Sequence, residues 1–195
     1  MSGLEAAAEI WHNLSMTIEL PEYAHVVRNL GPGMHPYRNL LPRLEESPVA
    51  QRIETEAMPL GPLMDSARVL INDHEGFCFV DIKIPAIVLS EHYYANGKDI
   101  DLYLDMAHEL AHLRQFHEGR DLWDHSLHYV DRPTEIEGYA VAVEEGLRLG
   151  MTEDEIRKHL ANPWLSSAEV ARLRNNIERF LANGMDSQNR PVRRR

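Results

Sequence analysis

The residues best able to do chemistry in this chain are His108, Glu109 and His112, in the string His108-Glu109-Leu110-Ala111-His112. On an α-helix, residues four apart stand one above the other on one face, about 5–6 Å apart. Two imidazoles at that spacing can share one Zn²⁺ through bonds of about 2.0–2.1 Å. Glu109 lies one step around the helix from His108. It can reach a water on the metal without taking a ligand position, as a general base in metal-assisted hydrolysis must. Chance places such a string in a chain of this composition roughly 0.06 times, so its surroundings decide how much it means.

Those surroundings are informative. Projected at about 100° per residue, Asp101, Asp105, His108, Glu109, His112 and Gln115 share one narrow sector of a helix. Leu102, Tyr103, Leu104, Met106, Ala107, Leu110, Ala111 and Leu113 cover almost all the rest. A helix apolar on most sides keeps a polar stripe for a reason, and a metal-lined cleft supplies one. The competing reading is a solvent-facing stripe without a metal. A catalytic zinc takes a third protein ligand and leaves its fourth position open. Loop histidines His125 and His128 are one source. A carboxylate on the next helix, Glu135 or Glu137, is the stronger one. On that helix Glu135 borders Ala142, Gly146 and Leu149, which suit close helix packing, whereas Glu137 borders Glu144 and Arg148, which read as solvated. Glu135 is therefore the expected ligand and Glu137 the alternative. His125, His128 and Tyr129 are candidate donors to a transition state.

The segment Thr134-Glu135-Ile136-Glu137-Gly138-Tyr139-Ala140-Val141-Ala142 resembles the second motif of the gluzincins, HExxH metallopeptidases whose third zinc ligand is a downstream helical glutamate. The repressor-cleaving phage and stress-response peptidases among them carry glutamate, two residues, Ala-Asn, one residue and Phe-Ala. Glu135, Gly138, Tyr139, Val141 and Ala142 fall on those positions, with Gly138 for alanine and Tyr139 for asparagine. Many gluzincins have at position 139 an aspartate that orients a ligand histidine. The metzincin pattern fits poorly, because its turn glycine and third histidine would be Gln115 and Glu118. The resemblance spans residues 67–150, and the short chain is similar to the minigluzincins. It implies a zinc-dependent metallopeptidase acting on a peptide or protein substrate, with His108, His112 and Glu135 as ligands and Glu109 as base. It further implies that a sheet edge strand, here residues 84–90, pairs with extended substrate.

The elements that must hold these residues can be read along the 195 residues, a length that fits one domain. Residues 1–66 predict a helical and irregular segment packed on the core, with helices at 4–14 and from Ser47-Pro48 to Met58 separated by prolines. Residues 67–73 and 77–89 predict strands around the turn Asp73-His74-Glu75-Gly76, the second interrupted at Pro85. Asn96-Gly97 marks a further turn. Asp99 is the expected N-cap of the metal-bearing helix, with Gly119 its stop, and a second helix covers 134–149. Thr152 and Ser166 open capping boxes for two more helices. Residues 67–183 thus predict a metallopeptidase domain, and 184–195 a disordered basic tail. The expected fold is α+β and zincin-like: a small sheet packed on the active helix and the glutamate helix, with extra helices at both ends.

Composition excludes other classes. A net charge of −11 argues against nucleic acid as a partner. Cys78 is the one cysteine, which leaves no disulfide framework and no cysteine-rich zinc site. No apolar run approaches the roughly 20 residues of a membrane span, and the start lacks a signal-peptide pattern, so a cytoplasmic address is expected. Oligomeric state is not legible. The rival to a peptidase is a non-catalytic or latent protein of the same fold, with a structural metal site, that works by binding a partner through helices 152–182.

Overall fold

The computed structural model describes residues 18–183; the helix expected at 4–14 and the tail at 184–195 lie outside the described residues. The proline-rich stretch after residue 18 folds into short pieces. A strand β1 (Gly33–Pro36) is followed by the single-turn helices α1 (Tyr37–Leu40) and α2 (Ala50–Ile53) and by α3 (Leu60–Ser66). The helix expected up to Met58 stops at Ile53. Thr55 and Met58 exchange backbone hydrogen bonds, and the Thr55 hydroxyl accepts from the Met58 amide, so a local turn competes with helix there. Leu40, Leu41, Leu44, Ile53, Leu63 and Met64 are all fully buried, which fastens this segment to the core.

Strands β2 (Arg68–Asn72), β3 (Cys78–Asp81) and β4 (Ala86–Ser90) complete a mixed four-stranded sheet in the order β1-β2-β4-β3. β1 pairs antiparallel with β2, β2 parallel with β4, and β3 antiparallel with β4. Two expectations change here. The N-terminal segment supplies a strand. And residues 84–90 are not the edge: β4 is buried at all five positions and lies between β2 and β3. A continuous apolar run such as Ala86-Ile87-Val88-Leu89 belongs in the middle of a sheet, covered on both faces. The edge on that side is β3, with Val80 inward and Phe79 outward, and Pro85 falls in the turn that joins β3 to β4.

After β4 the Ser90 hydroxyl caps α4 (Glu91–Asn96), which ends at Gly97; the residues around Asn96-Gly97 are thus a helix end. The helix α5 (Asp99–His117) follows, one residue earlier than expected, with Lys98 as its N-cap. Asp99 and Asp101 in its first turn face the positive end of the helix dipole. α6 (Pro133–Arg148) begins with proline at its first position, where the missing N–H costs nothing. α7 (Glu153–His159) and α8 (Ser167–Ala182) both open with capping boxes, at Thr152 and Ser166.

α5 is buried on nearly every side: the sheet covers it through β3 and β4, and α6 packs along it. The two helices run antiparallel, since Gln115 near the end of α5 donates to the Thr134 carbonyl at the start of α6. At the other end a side chain on Gly146 would meet Leu104, Met151 and Ile156, with Met151 Sδ at 2.9 Å. That close approach is what the small residue permits. The protein is α+β, and among the described residues no helix is long and apolar enough to cross a membrane.

Candidate metal centre

The i,i+4 spacing on α5 and the first turn of α6 bring three side chains together. His108, His112 and Glu135 are all buried, and their ligand atoms lie within 4.8 Å of one another. Glu135 Oε2 is 3.4 Å from His112 Nε2 and 3.7 Å from His108 Nε2. A tetrahedral zinc with bonds of about 2.0–2.1 Å separates its ligand atoms by about 3.3 Å, so the group fits such an ion with small adjustment. The donor set itself, two imidazoles and one carboxylate, is one that suits zinc at a hydrolytic site.

The surroundings prepare these ligands. His112 Nδ1 lies 2.8 Å from Gln115 Oε1, which cannot donate, so Nδ1 carries the proton and a neutral His112 presents its lone pair at Nε2. Gln115 is fixed in turn by its bond to the Thr134 carbonyl, 3.2 Å long, which ties the orienting residue to the helix that carries Glu135. The His108 ring packs edge-on against Tyr139 at 4.3 Å between centroids, and against His112 at 4.4 Å. A side chain at Gly138 would lie 3.1 Å from the His108 ring and 3.3 Å from that of His112. The smallness of residue 138 lets both imidazoles lie against α6.

Glu109 sits beside the group, with Oε1 at 4.0 Å from His108 Nε2. Its Oε2, like Glu135 Oε2, is buried without a hydrogen-bond partner. Buried carboxylate oxygens without partners are costly, and a cation or a water in the cleft is the ordinary way to satisfy them. Burial pushes the Glu109 carboxyl up to about 8, aided by the charges of Glu135 and Asp105 and opposed by His112. Burial also drives His108 well below the usual histidine range, with the charge of His112 acting in the same direction. For His112 burial acts downward too, but the Glu135 carboxylate outweighs it and lifts the ring to about 9.

The cleft above these residues has a volume of about 530 Å³, within the range of small-molecule and peptide sites. Phe77 and the strand β3 after it form one wall, through Phe77, Cys78, Phe79 and Val80. The Cys78 thiol lies 3.8 Å from Glu109 Oε1, and burial raises its pKa well above that of a free thiol, which disfavours the thiolate.

The structure sorts the remaining candidates. Tyr129 lines the cleft. His125 is exposed and not part of the lining, and His128 points to α8, where its Nε2 meets Glu169 at 2.9 Å. Glu137 is not solvated. It is 2% exposed and forms buried ion pairs with Arg114 and Arg120. Arg114 is itself fully buried, and a guanidinium in an apolar helix calls for a carboxylate opposite; that was the available sequence signal for Glu137. The His159 side chain is buried in the cleft wall between Asp101, at 3.1 Å, and Asp105, at 3.5 Å. Tyr93 donates to Asp105 at 2.5 Å, so the upper half of the polar stripe on α5 is used for internal pairing.

Comparison of the chain with known protein families, with curated proteins and with solved structures finds no match.

Proposed function

We propose that the chain is a zinc-dependent metallopeptidase of the zincin-like class, similar to the gluzincins. The observation that carries this reading is the buried triad His108, His112 and Glu135 with the Glu109 carboxylate, its Oε2 unpartnered, next to it. Zinc, when bound by the three, supplies a Lewis acid for a carbonyl oxygen and makes water acidic near neutral pH. Glu109 accepts a proton from the attacking water at Oε2 and returns it to the leaving amine. Burial holds this carboxyl high in the protein alone; a cation at the triad would favour its ionised form, the form that takes the proton. Tyr129, the one candidate donor that lines the cleft, offers its hydroxyl to the oxyanion. An extended peptide aligned on the free edge of β3 would present its scissile bond to Glu109, since Cys78 of that strand lies against the same carboxylate.

The test pairs two measurements on wild type and Glu109→Gln. Glutamine keeps the size and leaves both imidazoles untouched but cannot take the proton. The expected result is equal zinc content and loss of peptide cleavage in the variant. Cleavage at the wild-type rate by Glu109→Gln removes Glu109 from its role. Zinc retained by a wild type that cleaves nothing favours the non-catalytic reading instead.

A further inference from the structure

α7 and the link that follows it reach into the metal cleft. Asn162, in the link between α7 and α8, donates from Nδ2 to the Tyr139 hydroxyl at 2.9 Å. The Tyr139 hydroxyl is also 2.9 Å from that of Tyr129. An amide N–H can only donate, and a phenol has one hydrogen. Tyr139 accepts from Asn162, and when it gives its own hydrogen to Tyr129 the Tyr129 hydrogen is left for a partner in the cleft. We infer that Asn162 and Tyr139 form a one-way hydrogen-bond chain that makes Tyr129 a donor to an oxyanion at the metal centre, and that Asn162 is its positioning residue. This rests on the metallopeptidase reading and deepens it.

The segment carrying Tyr129 is held for such a role. Trp164 meets the Tyr129 ring edge-on at 6.5 Å. α8 clamps the neighbouring residues: Glu169 pairs with His128 at 2.9 Å, and Asn176 donates to the Val130 carbonyl at 2.9 Å. A donor with fixed direction needs no reorganisation when negative charge develops, which is the source of its catalytic value. Tyr129 lines the same cleft as His108, Glu109, His112 and Glu135, and burial raises its pKa, keeping it protonated as a donor must be. The chain explains why a tyrosine serves at position 139: it touches His108 with its ring and Tyr129 with its hydroxyl.

The decisive variant is Asn162→Asp, which keeps the shape and reverses the chain. A carboxylate must accept from Tyr139, which must then accept from Tyr129, and the donor to the cleft is lost. The zinc-loaded full chain is assayed on fluorescein-labelled casein. The cobalt-substituted full chain is titrated with acetohydroxamate, followed by its visible spectrum, which needs no catalysis. Expected are a fall in kcat of about 10²-fold or more for both Tyr129→Phe and Asn162→Asp with KM within threefold, and hydroxamate binding weakened at least about tenfold in both. In a Tyr139→Phe background the same Asn162→Asp exchange should change hydroxamate affinity less than twofold, because no chain remains to reverse. Hydroxamate binding within threefold of wild type for either single variant overturns the inference. So does an undiminished Asn162→Asp effect on the Tyr139→Phe background, which would make it a simple charge effect. A wild type that binds acetohydroxamate but leaves casein intact counts against the peptidase reading, and the titration still decides the chain.

Discussion

Glu135 and Glu137 stand two residues apart on α6, both buried, and removing each should produce opposite phenotypes. Glu137→Ala strips a fully buried Arg114 and a largely buried Arg120 of their shared carboxylate. Breaking a buried ion pair by deleting one partner costs up to about 3–5 kcal/mol, and here less than the full figure because Arg114 keeps Glu118 at 2.8 Å. For a chain of this size about 1 kcal/mol lowers Tm by roughly 2–4 °C, so the metal-free variant should melt several degrees, and at most roughly 20 °C, below wild type. Its zinc affinity, measured below its melting point, should be close to wild type. Glu135→Ala removes one of three ligands and should lose zinc binding by well over the 10–100-fold typical of an outer-shell loss. Its metal-free Tm should move by only a few degrees. The assay is thermal denaturation of both metal-free variants by circular dichroism, with zinc titration by a competing chromophoric chelator at 25 °C. A Glu137→Ala variant that melts normally and fails to bind zinc would refute the assignment of the two carboxylates.

Two further outcomes follow from the ligands' surroundings. Gln115→Ala should weaken zinc about 10–100-fold while leaving the three ligands in place, because His112 loses the acceptor that fixes its tautomer; unchanged affinity would deny Gln115 that role. Zinc affinity should rise with pH. His112 in the protein alone keeps its proton up to about 9, and the metal must displace it, so apparent affinity should climb about tenfold per unit between pH 6 and 8. An affinity flat across that range would show that the ligand set is already deprotonated.

Much of the site was legible because helices make spacing into geometry. A spacing of four from His108 to His112, and an apolar surface around a polar stripe, suffice to place two imidazoles and Glu109 in one cleft. Glu135 followed from the small residues near it on α6. The same helix misled at Glu137, where polar neighbours suggested solvent: burial there is set by Arg114 on α5, a contact across helices that no periodicity within α6 contains. The strand order was not legible either. β4 reads as a strand from its composition, but its place between β2 and β3 depends on a parallel pairing with a strand nearly twenty residues earlier, and its fully apolar run was the cue to a central position. His159 and Asn162 reach the cleft only because α7 folds back over α5 and α6. Their roles are tertiary, and isolated polar residues carry no mark of them in sequence.

The most direct test of the metal centre is X-ray absorption at the zinc edge of the zinc-loaded full chain. Two imidazole nitrogens and a carboxylate oxygen at about 2.0–2.1 Å, with one further light atom, are predicted. A sulfur shell at about 2.3 Å, which would implicate Cys78, or a shell with three imidazoles, which would bring in a histidine such as His125 or His128, would contradict the assignment of His108, His112 and Glu135 as the metal ligands.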